Sequence, residues 1–125
     1  MINGIGIDLI ETERVGDKIA KETGFREYIF SAAEITFCES KANKTEHYAA
    51  RFAGKEAFLK AMGTGLGGGF TLSEIEILPD SAGKPELYFM GSTAEAIEEK
   101  GKFKFHITLT HLKNIACAMV VIEKI

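Results

Sequence analysis

The chain has 125 residues, of which 46% are hydrophobic, and it carries a net charge of −3 at pH 7. This length predicts a single domain over residues 1–125 with a modest core. We expect no membrane segment and no secretion leader, and a slightly acidic chain has no electrostatic reason to bind nucleic acid. Because Cys38 and Cys117 lack metal-ligand spacing, we expect reduced core cysteines in a cytoplasmic protein.

The first predicted element is a strand over residues 2–10. Its apolar residues alternate on one face, namely Ile5, Ile7 and Leu9. The opposite face carries Gly4, Gly6 and Asp8, so the two residues beside the carboxylate have no side chain. This leaves space for a bulky group to approach Asp8 and the neighbouring backbone. The alternative is that Asp8 simply ends a strand whose glycines mark a bulge.

Helices are predicted next. Thr12 is a suitable cap for a helix to about Glu22, and capping boxes at Ser31 and Ser92 start two more, the second ending at Gly101. The first helix carries basic residues spaced i, i+4 and i+7, which places them in one stripe: Arg14, Lys18 and Lys21. Such a stripe is typical of a solvated helix face and also suits an acidic partner.

The central helix, predicted to begin near Glu46, is the most informative segment. One apolar strip of this helix consists of Ala50, Ala53, Ala57 and Ala61. Glu56 and Lys60 are four residues apart, hence neighbours, and fall between this strip and a second apolar one. Desolvating these charges is costly unless they meet a partner such as a metal ion or a phosphate. A Glu–Lys pair that only supports the helix is the alternative.

A glycine loop over residues 63–69 follows this helix. It contains a G-x-G-x-x-G match, but that dinucleotide motif belongs between a strand and a following helix. We interpret Gly63 and Gly65 as positions where a ligand approaches the backbone closely. A plain helix C-cap explains Gly63 equally well.

The remaining elements are mostly strands, predicted over 71–78, 86–90, 103–111 and 115–122, the last two as a hairpin. In the third of these, Ile107 and Leu109 face inward, whereas His106, Thr108 and Thr110 share the other face and suit phosphate or ribose oxygens. Threonine is also ordinary on an exposed strand. The element order predicts an α+β fold with a largely antiparallel sheet and a long central helix.

Asp8 on its strand and Glu56 on its helix could together hold Mg²⁺. This ion usually takes one or two protein carboxylates and completes its octahedron with water and substrate phosphate. A non-catalytic coenzyme- or nucleotide-binding module would not need both carboxylates. A structural oligomerisation domain would not explain charges set in an apolar helix. The residues therefore favour an enzyme over these two classes.

Three blocks of the sequence resemble the holo-acyl-carrier-protein synthases, the small 4′-phosphopantetheinyl transferases of fatty acid synthesis. They are G-I-G-I-D-L, R-F-A-G-K-E-A-F-L-K-A-M-G-T-G, and H-I-T-L-T-H followed by A-x-A-x-V-V-I-E. The turn Gly83-Lys84-Pro85 also fits, so the resemblance covers essentially the whole chain. This sequence departs from the family pattern at Gly54, where Ala is usual, at Thr108, where Ser is usual, and at Leu112, where Ser or Thr is common.

The resemblance implies a 4′-phosphopantetheinyl transferase fold and transfer of phosphopantetheine from coenzyme A to a serine of apo acyl carrier protein. It implies that Asp8 and Glu56 bind Mg²⁺, that Glu56 is the best candidate to receive the serine proton, and that Lys60 neutralises or protonates the leaving phosphate. It implies six coenzyme contacts in addition to Lys60 and the two loop glycines, Gly63 and Gly65. They are Arg51, Gly83, Lys84, Pro85, Thr108 and His111. It also implies a homotrimer with sites between subunits, and carrier docking on the stripe at Arg14, Lys18 and Lys21.

Overall fold

The computed structural model describes residues 1–125 as two antiparallel sheets arranged around one long helix. The elements in order are β1 (Ile2–Glu11), α1 (Thr12–Ala20), α2 (Phe25–Ile29), α3 (Ala32–Glu39), α4 (Lys44–Met62), β2 (Ile75–Pro79), β3 (Pro85–Phe89), α5 (Gly91–Lys100), β4 (Phe103–His111) and β5 (Ile115–Lys124). Short 3₁₀ turns lie at Gly65–Gly68 and Leu72–Glu74. The sheets have the strand orders β1-β5-β4 and β2-β3. The predicted α+β class with a long central helix is confirmed.

Helix α4 lies at the centre of the core. Eleven of its 19 residues are buried, so polar groups on almost any of its faces need partners inside the protein. The ring of Phe58 contacts the rings of Phe70, Phe89 and Phe105 at centroid separations of 5.1–5.8 Å. None of the helices combines the length and the hydropathy that a membrane span requires.

Strand β1 packs on α4 through its glycine face. A Cβ atom on Gly4 would overlap the carbonyl oxygen of Ala61, and one on Gly6 would overlap that of Ala57. Only glycine permits this approach of strand to helix backbone. The bulky group expected to approach these glycines is α4 itself, and it fills the space beside them. The apolar face of β1 points outward instead, and its side chains are 59–66% exposed: Ile5, Ile7 and Leu9.

The capping predictions had mixed outcomes. The box at Ser31 is confirmed, since its hydroxyl accepts from the Glu34 amide (3.1 Å) and the Glu34 carboxylate accepts from the Ser31 amide (3.0 Å). The box at Ser92 was wrong because a remote carboxylate, that of Glu74, takes its place. Glu74 accepts from the Ser92 hydroxyl at 3.0 Å and from the Thr93 hydroxyl and amide at 2.8 and 3.1 Å.

Several boundaries differ from those predicted. Thr12 is the first residue of α1 rather than its cap, and its hydroxyl donates to the Lys113 carbonyl oxygen at 2.7 Å. The short α2 was not predicted, since five residues are too few to show helical periodicity. The strand expected from residue 71 begins at Ile75 because a 3₁₀ turn precedes it. Cys117 is half-buried rather than in the core, whereas Cys38 is buried, which raises the pKa of its thiol to about 12.

Close contact between α4 and β1 predicts an unequal response to alanine at two glycines. Gly6→Ala should lower the free energy of unfolding by about 3 kcal/mol, the upper end of the usual cost of overpacking, because the clashing atoms belong to the backbone. Gly67→Ala is the matched control, since a Cβ there meets no atom within 4 Å. Urea unfolding followed by circular dichroism measures both. Equal stabilities would contradict the packing argument.

Candidate active site

The strand–helix contact brings Asp8 of β1 next to Lys60 of α4. The Lys60 Nζ atom lies 3.1 Å from Asp8 Oδ1 and 3.0 Å from the carbonyl oxygen of Ile7. The Asp8 side chain is 17% exposed and that of Lys60 57% exposed, so the pair lies at the surface with the carboxylate recessed. An exposed ion pair of this kind contributes little to stability. The lysine is therefore available for chemistry rather than required for folding.

Glu56 lies half-buried beside this pair. Burial raises the pKa of the Glu56 carboxyl, the negative charge of Asp8 raises it further, and Lys60 opposes both effects. Two carboxylates therefore repel each other with a single ammonium nearby. No third histidine, cysteine or carboxylate joins them to form a larger group. A pair of hard oxygen donors with excess negative charge suits Mg²⁺, which needs only one or two protein carboxylates.

A second cluster forms a pocket of about 160 Å³ at the other end of α4. Four of its lining residues were predicted as coenzyme contacts, namely Arg51, Gly83, Pro85 and His111. The remaining lining residues were not predicted: Phe37, His47, Ala50, Pro79 and Leu109. The pocket is thus built from α3, α4, the β2–β3 turn and β4.

Arg51 forms the base of this pocket. It is only 4% exposed, its Nε donates to the Ile77 carbonyl oxygen at 2.9 Å, and its guanidinium lies over the Phe37 ring at 4.3 Å. Burial lowers the pKa of Arg51 from its usual value. Arginine nevertheless stays charged in proteins, so the pocket has a fixed cation. At its rim, His111 Nδ1 lies 2.8 Å from Glu46 Oε1, which orients the imidazole.

The other predicted coenzyme contacts lie outside both clusters or at their edges. Lys84 is exposed between two pocket residues, with its Nζ 3.6 Å from Glu86 Oε1. Thr108 is exposed on the outer face of β4 and does not line the pocket. Gly63 ends α4 with a φ of 75°, which confirms the C-cap alternative, and Gly65, with a φ of 54°, has no heavy atom within 4 Å of a Cβ built there.

The two clusters lie on opposite faces of α4. Arg51 and Lys60 are nine residues apart, which corresponds to roughly 13 Å along the axis and a rotation of about 180° at 100° per residue. Lys60 meets β1, whereas Arg51 meets β2. One copy of the chain therefore presents two separated half-sites.

Sequence reasoning missed the most buried charge of the helix. The Lys55 ammonium is enclosed and donates all three protons, to Glu34 Oε1 at 2.6 Å, the Leu72 carbonyl oxygen at 2.7 Å and the Ile29 carbonyl oxygen at 2.8 Å. Burial lowers the pKa of Lys55, and the Glu34 carboxylate opposes that change. The only sequence indication was a lysine with large apolar residues three or four positions away on the helix, namely Phe52, Phe58 and Leu59. With every donor occupied, Lys55 has a structural role.

The predicted basic stripe is exposed, with Arg14 and Lys18 on α1 and Lys21 directly after the last residue of that helix. Arg14, Lys18 and Lys21 form no ion pair within the chain, and Lys18 Nζ lies 5.5 Å from the centre of the Phe25 ring. Three unpaired cations on one helix face suit an acidic partner.

A larger cavity, of about 650 Å³, lies between α1, α2 and the start of α4 and contains none of the predicted site residues. Four of its polar side chains already bond to one another. Glu39 accepts from Tyr48 at 2.7 Å and from Lys44 at 3.2 Å, and Arg26 lies 3.5 Å away. The main charged groups of this cavity are therefore engaged with one another, and we place the chemistry at the smaller clusters.

A fold of this kind, with paired carboxylates and a lysine at a strand–helix contact, defines a class of group-transfer enzymes. The chain matches the 4′-phosphopantetheinyl transferase superfamily (ACPS) over residues 4–120, and it belongs to that family. It is 44% identical to the holo-[acyl-carrier-protein] synthase of Cytophaga hutchinsonii over 99% of both chains.

Solved structures agree with this assignment. The holo-[acyl-carrier-protein] synthase of Neisseria meningitidis superposes with a TM-score of 0.89 at 32% identity, over 99% of this chain and 100% of that one. The Bacillus anthracis holo-(acyl-carrier-protein) synthase, solved in complex with CoA (3′,5′-ADP), gives 0.82 at 36% identity over 99% and 98%. The resemblance stated from the sequence is confirmed.

The raised pKa of Glu56 predicts how its substitution changes stability with pH. A carboxyl group whose folded-state pKa exceeds its unfolded value destabilises the fold once it ionises. Glu56→Gln cannot ionise, so it should be more stable than wild type at about pH 7.5. The difference should shrink as the pH falls to about 4.5, where Glu56 itself becomes protonated.

Urea midpoints across this pH range measure the effect, with Glu98→Gln on the exposed face of α5 as the control. A Glu56→Gln protein less stable than wild type at about pH 7.5 would rule out the electrostatic cost proposed for this carboxylate.

Proposed function

We propose that this chain transfers 4′-phosphopantetheine from coenzyme A to the serine hydroxyl of an apo acyl carrier protein, releasing adenosine 3′,5′-bisphosphate. The observation that carries this proposal is the cluster of Asp8, Glu56 and Lys60 at the contact between β1 and α4. The named relatives are holo-acyl-carrier-protein synthases, and one was solved with coenzyme A, which supports the choice of substrates.

Asp8 and Glu56 are the residues that would hold Mg²⁺. Their repulsion is the feature that a divalent cation relieves, and both offer the hard oxygen ligands that this ion prefers. When bound, Mg²⁺ supplies charge neutralisation to the pyrophosphate. The same two carboxylates would remain poorly matched to an anionic substrate without it.

The reaction forms a bond between the serine oxygen and the phosphorus next to pantetheine and breaks the bond from that phosphorus to the bridging oxygen. Glu56 would accept the serine proton. Its raised pKa makes it a stronger base than an ordinary carboxylate. Lys60 would neutralise or protonate the leaving phosphate, because its exposed ammonium can turn from Asp8 towards a phosphate oxygen. Catalysis is then mainly positioning and charge neutralisation.

The pocket at Arg51 would receive the adenine and 3′-phosphate end of coenzyme A. Arg51 and His111 offer positive or donor groups to the phosphate, with Lys84 at the edge, while Pro85 and Leu109 offer apolar surface to the purine. Gly63 and Gly65 would let the rest of the coenzyme approach the backbone after α4, and Thr108 would contribute from the outer face of β4.

A complete site would be shared between subunits of a homotrimer. The two half-sites face opposite sides of α4, so another copy of the chain would bring the second half to the first. The outer sheet face supports this assembly, because apolar side chains lie next to one another on it. Four of them are exposed, namely Ile5, Ile7, Leu9 and Met119, and Val121 beside them is half-buried. A contiguous exposed apolar surface of this kind is typical of an interface.

The transfer reaction is tested directly by incubating the protein with coenzyme A, Mg²⁺ and an apo carrier protein, then weighing the carrier. Asp8→Asn, Glu56→Gln and Lys60→Met should each lower the rate at least about 100-fold without unfolding the protein. Glu98→Gln is the control for a surface carboxylate. A wild type that binds coenzyme A without modifying the carrier would indicate a binding module, and near-normal rates for the variants would refute the assigned roles.

The shared site predicts complementation between inactive variants. Sedimentation should report a mass near three times 13.7 kDa. Lys60→Met and His111→Ala should each be nearly inactive alone, whereas trimers refolded from an equal mixture should recover about a quarter of the sites, since random pairing joins two intact halves at that frequency. A fully active monomer, or a mixture as inactive as its components, would rule out the shared site.

The basic stripe predicts a salt-dependent affinity for the carrier protein. Reversing Arg14 and Lys21 to Glu should raise the KM for carrier severalfold while barely changing that for coenzyme A. The wild type should lose carrier affinity as the Debye length shrinks from about 10 Å at 0.1 M to about 3 Å at 1 M salt, and the reversed variant should respond less. The control is the double variant Lys100→Glu with Lys102→Glu, which makes the same charge change outside the stripe. If the two double variants have the same KM, docking lies outside the stripe.

A further inference from the structure

His47 is the one imidazole in the coenzyme pocket that the sequence analysis did not single out. It lies on α4, its ring meets the His111 ring nearly edge-on at 5.3 Å, and its other neighbour is the Phe37 ring at 5.7 Å. Its carbonyl oxygen accepts from Arg51 Nη1 at 3.4 Å. Two imidazoles and a guanidinium therefore share the wall of one small pocket.

The charges around His47 are mostly positive. The titratable groups that act on it come from α4, from the segment before it and from β4: Glu46, Arg51, Lys41 and His111. The only carboxylate among them, Glu46, is bonded to His111 Nδ1 at 2.8 Å. The pocket thus gathers cationic and donor groups with its single carboxylate already engaged, which suits a phosphate.

In the free protein these surroundings disfavour a charge on His47. Burial lowers the pKa of its imidazole, and the positive charges of Arg51, His111 and Lys41 lower it further, against a smaller opposite effect of Glu46. His47 is therefore neutral near pH 7. A phosphate that entered the pocket would supply the missing negative charge, and protonation of the imidazole would then become favourable.

We propose that His47 is a coenzyme-binding residue that takes up a proton when the 3′-phosphate of coenzyme A enters the pocket. This inference rests on the proposed function, because it assigns the same pocket to the same substrate. His111, oriented by Glu46, lies beside His47 with its ring centroid 5.3 Å away, so both imidazoles contact the phosphate from the same wall. Affinity for the 3′-phosphate consequently falls as the pH rises through the pKa that His47 has in the complex.

Titration calorimetry with adenosine 3′,5′-bisphosphate tests this without any transfer reaction. At about pH 6.5, measurements in two buffers of different ionisation enthalpy give the number of protons taken up. Wild type should take up about half a proton more per site than His47→Gln, and should bind about tenfold more tightly. The difference in affinity should nearly vanish at about pH 8.5. The phosphate itself takes up protons equally with both proteins, so this contribution cancels in the difference between wild type and His47→Gln.

Two controls separate binding from structure. Adenosine 5′-monophosphate lacks the 3′-phosphate, so wild type and His47→Gln should take up equal numbers of protons on binding it. His47→Lys carries a fixed charge and should bind the bisphosphate tightly at both pH values without the extra uptake, which a merely structural histidine would not allow.

Equal proton uptake by wild type and His47→Gln overturns the proposal, even if the transfer assay succeeds and the proposed function stands. A wild type that transfers phosphopantetheine while His47→Lys loses all affinity for the bisphosphate also overturns it. If wild type neither binds the bisphosphate nor modifies the carrier, both the inference and the proposed function fail.

Discussion

Backbone contact between β1 and α4 is the constraint on which the rest of this structure depends. Gly4 and Gly6 bring the strand against Ala61 and Ala57 without an intervening side chain. That approach lets Lys60 reach Asp8, which would otherwise lie a side-chain layer away. It also turns the isoleucine face of the strand towards solvent, where burial of its apolar side chains cannot stabilise a monomer. The contact between β1 and α4 thus forms the acidic site and leaves exposed the surface that a second copy can cover.

The charged residues of helix α4 have two different roles, since some stabilise the fold and others lie at the candidate active site. Lys55 and Arg51 are buried and hold neighbouring segments through carbonyl oxygens, whereas Glu56 and Lys60 lie at the edge of the core beside Asp8. Removing one partner of a buried pair such as Lys55–Glu34 typically costs about 3–5 kcal/mol, so that lysine fixes the helix in place. The adjacent glutamate instead carries an electrostatic cost, which is expected of a site that awaits a ligand.

Local patterns predicted the elements whose partners are near in sequence, and failed where partners are remote. The Ser31 capping box and the β4–β5 hairpin depend on neighbours a few residues away, and both were predicted. The cap of α5 depends on Glu74, 19 residues before Thr93, which no local rule reveals. Alternation placed Gly6 and Asp8 on one face of β1 but could not tell which face is buried, since that depends on α4. His47 was missed because its pocket draws on four elements.

The enclosed ammonium of Lys55 has a consequence for chemical labelling. Acylating reagents and acetyltransferases attack a neutral amine that they can reach, but this amine donates three hydrogen bonds and its side chain is 1% exposed. Lys60, five residues later on the same helix, is open to solvent. A label on Lys55 therefore forms only in molecules whose core has opened, while a label on Lys60 forms in the native state. The ratio of the label on Lys55 to the label on Lys60 therefore measures global opening of the protein.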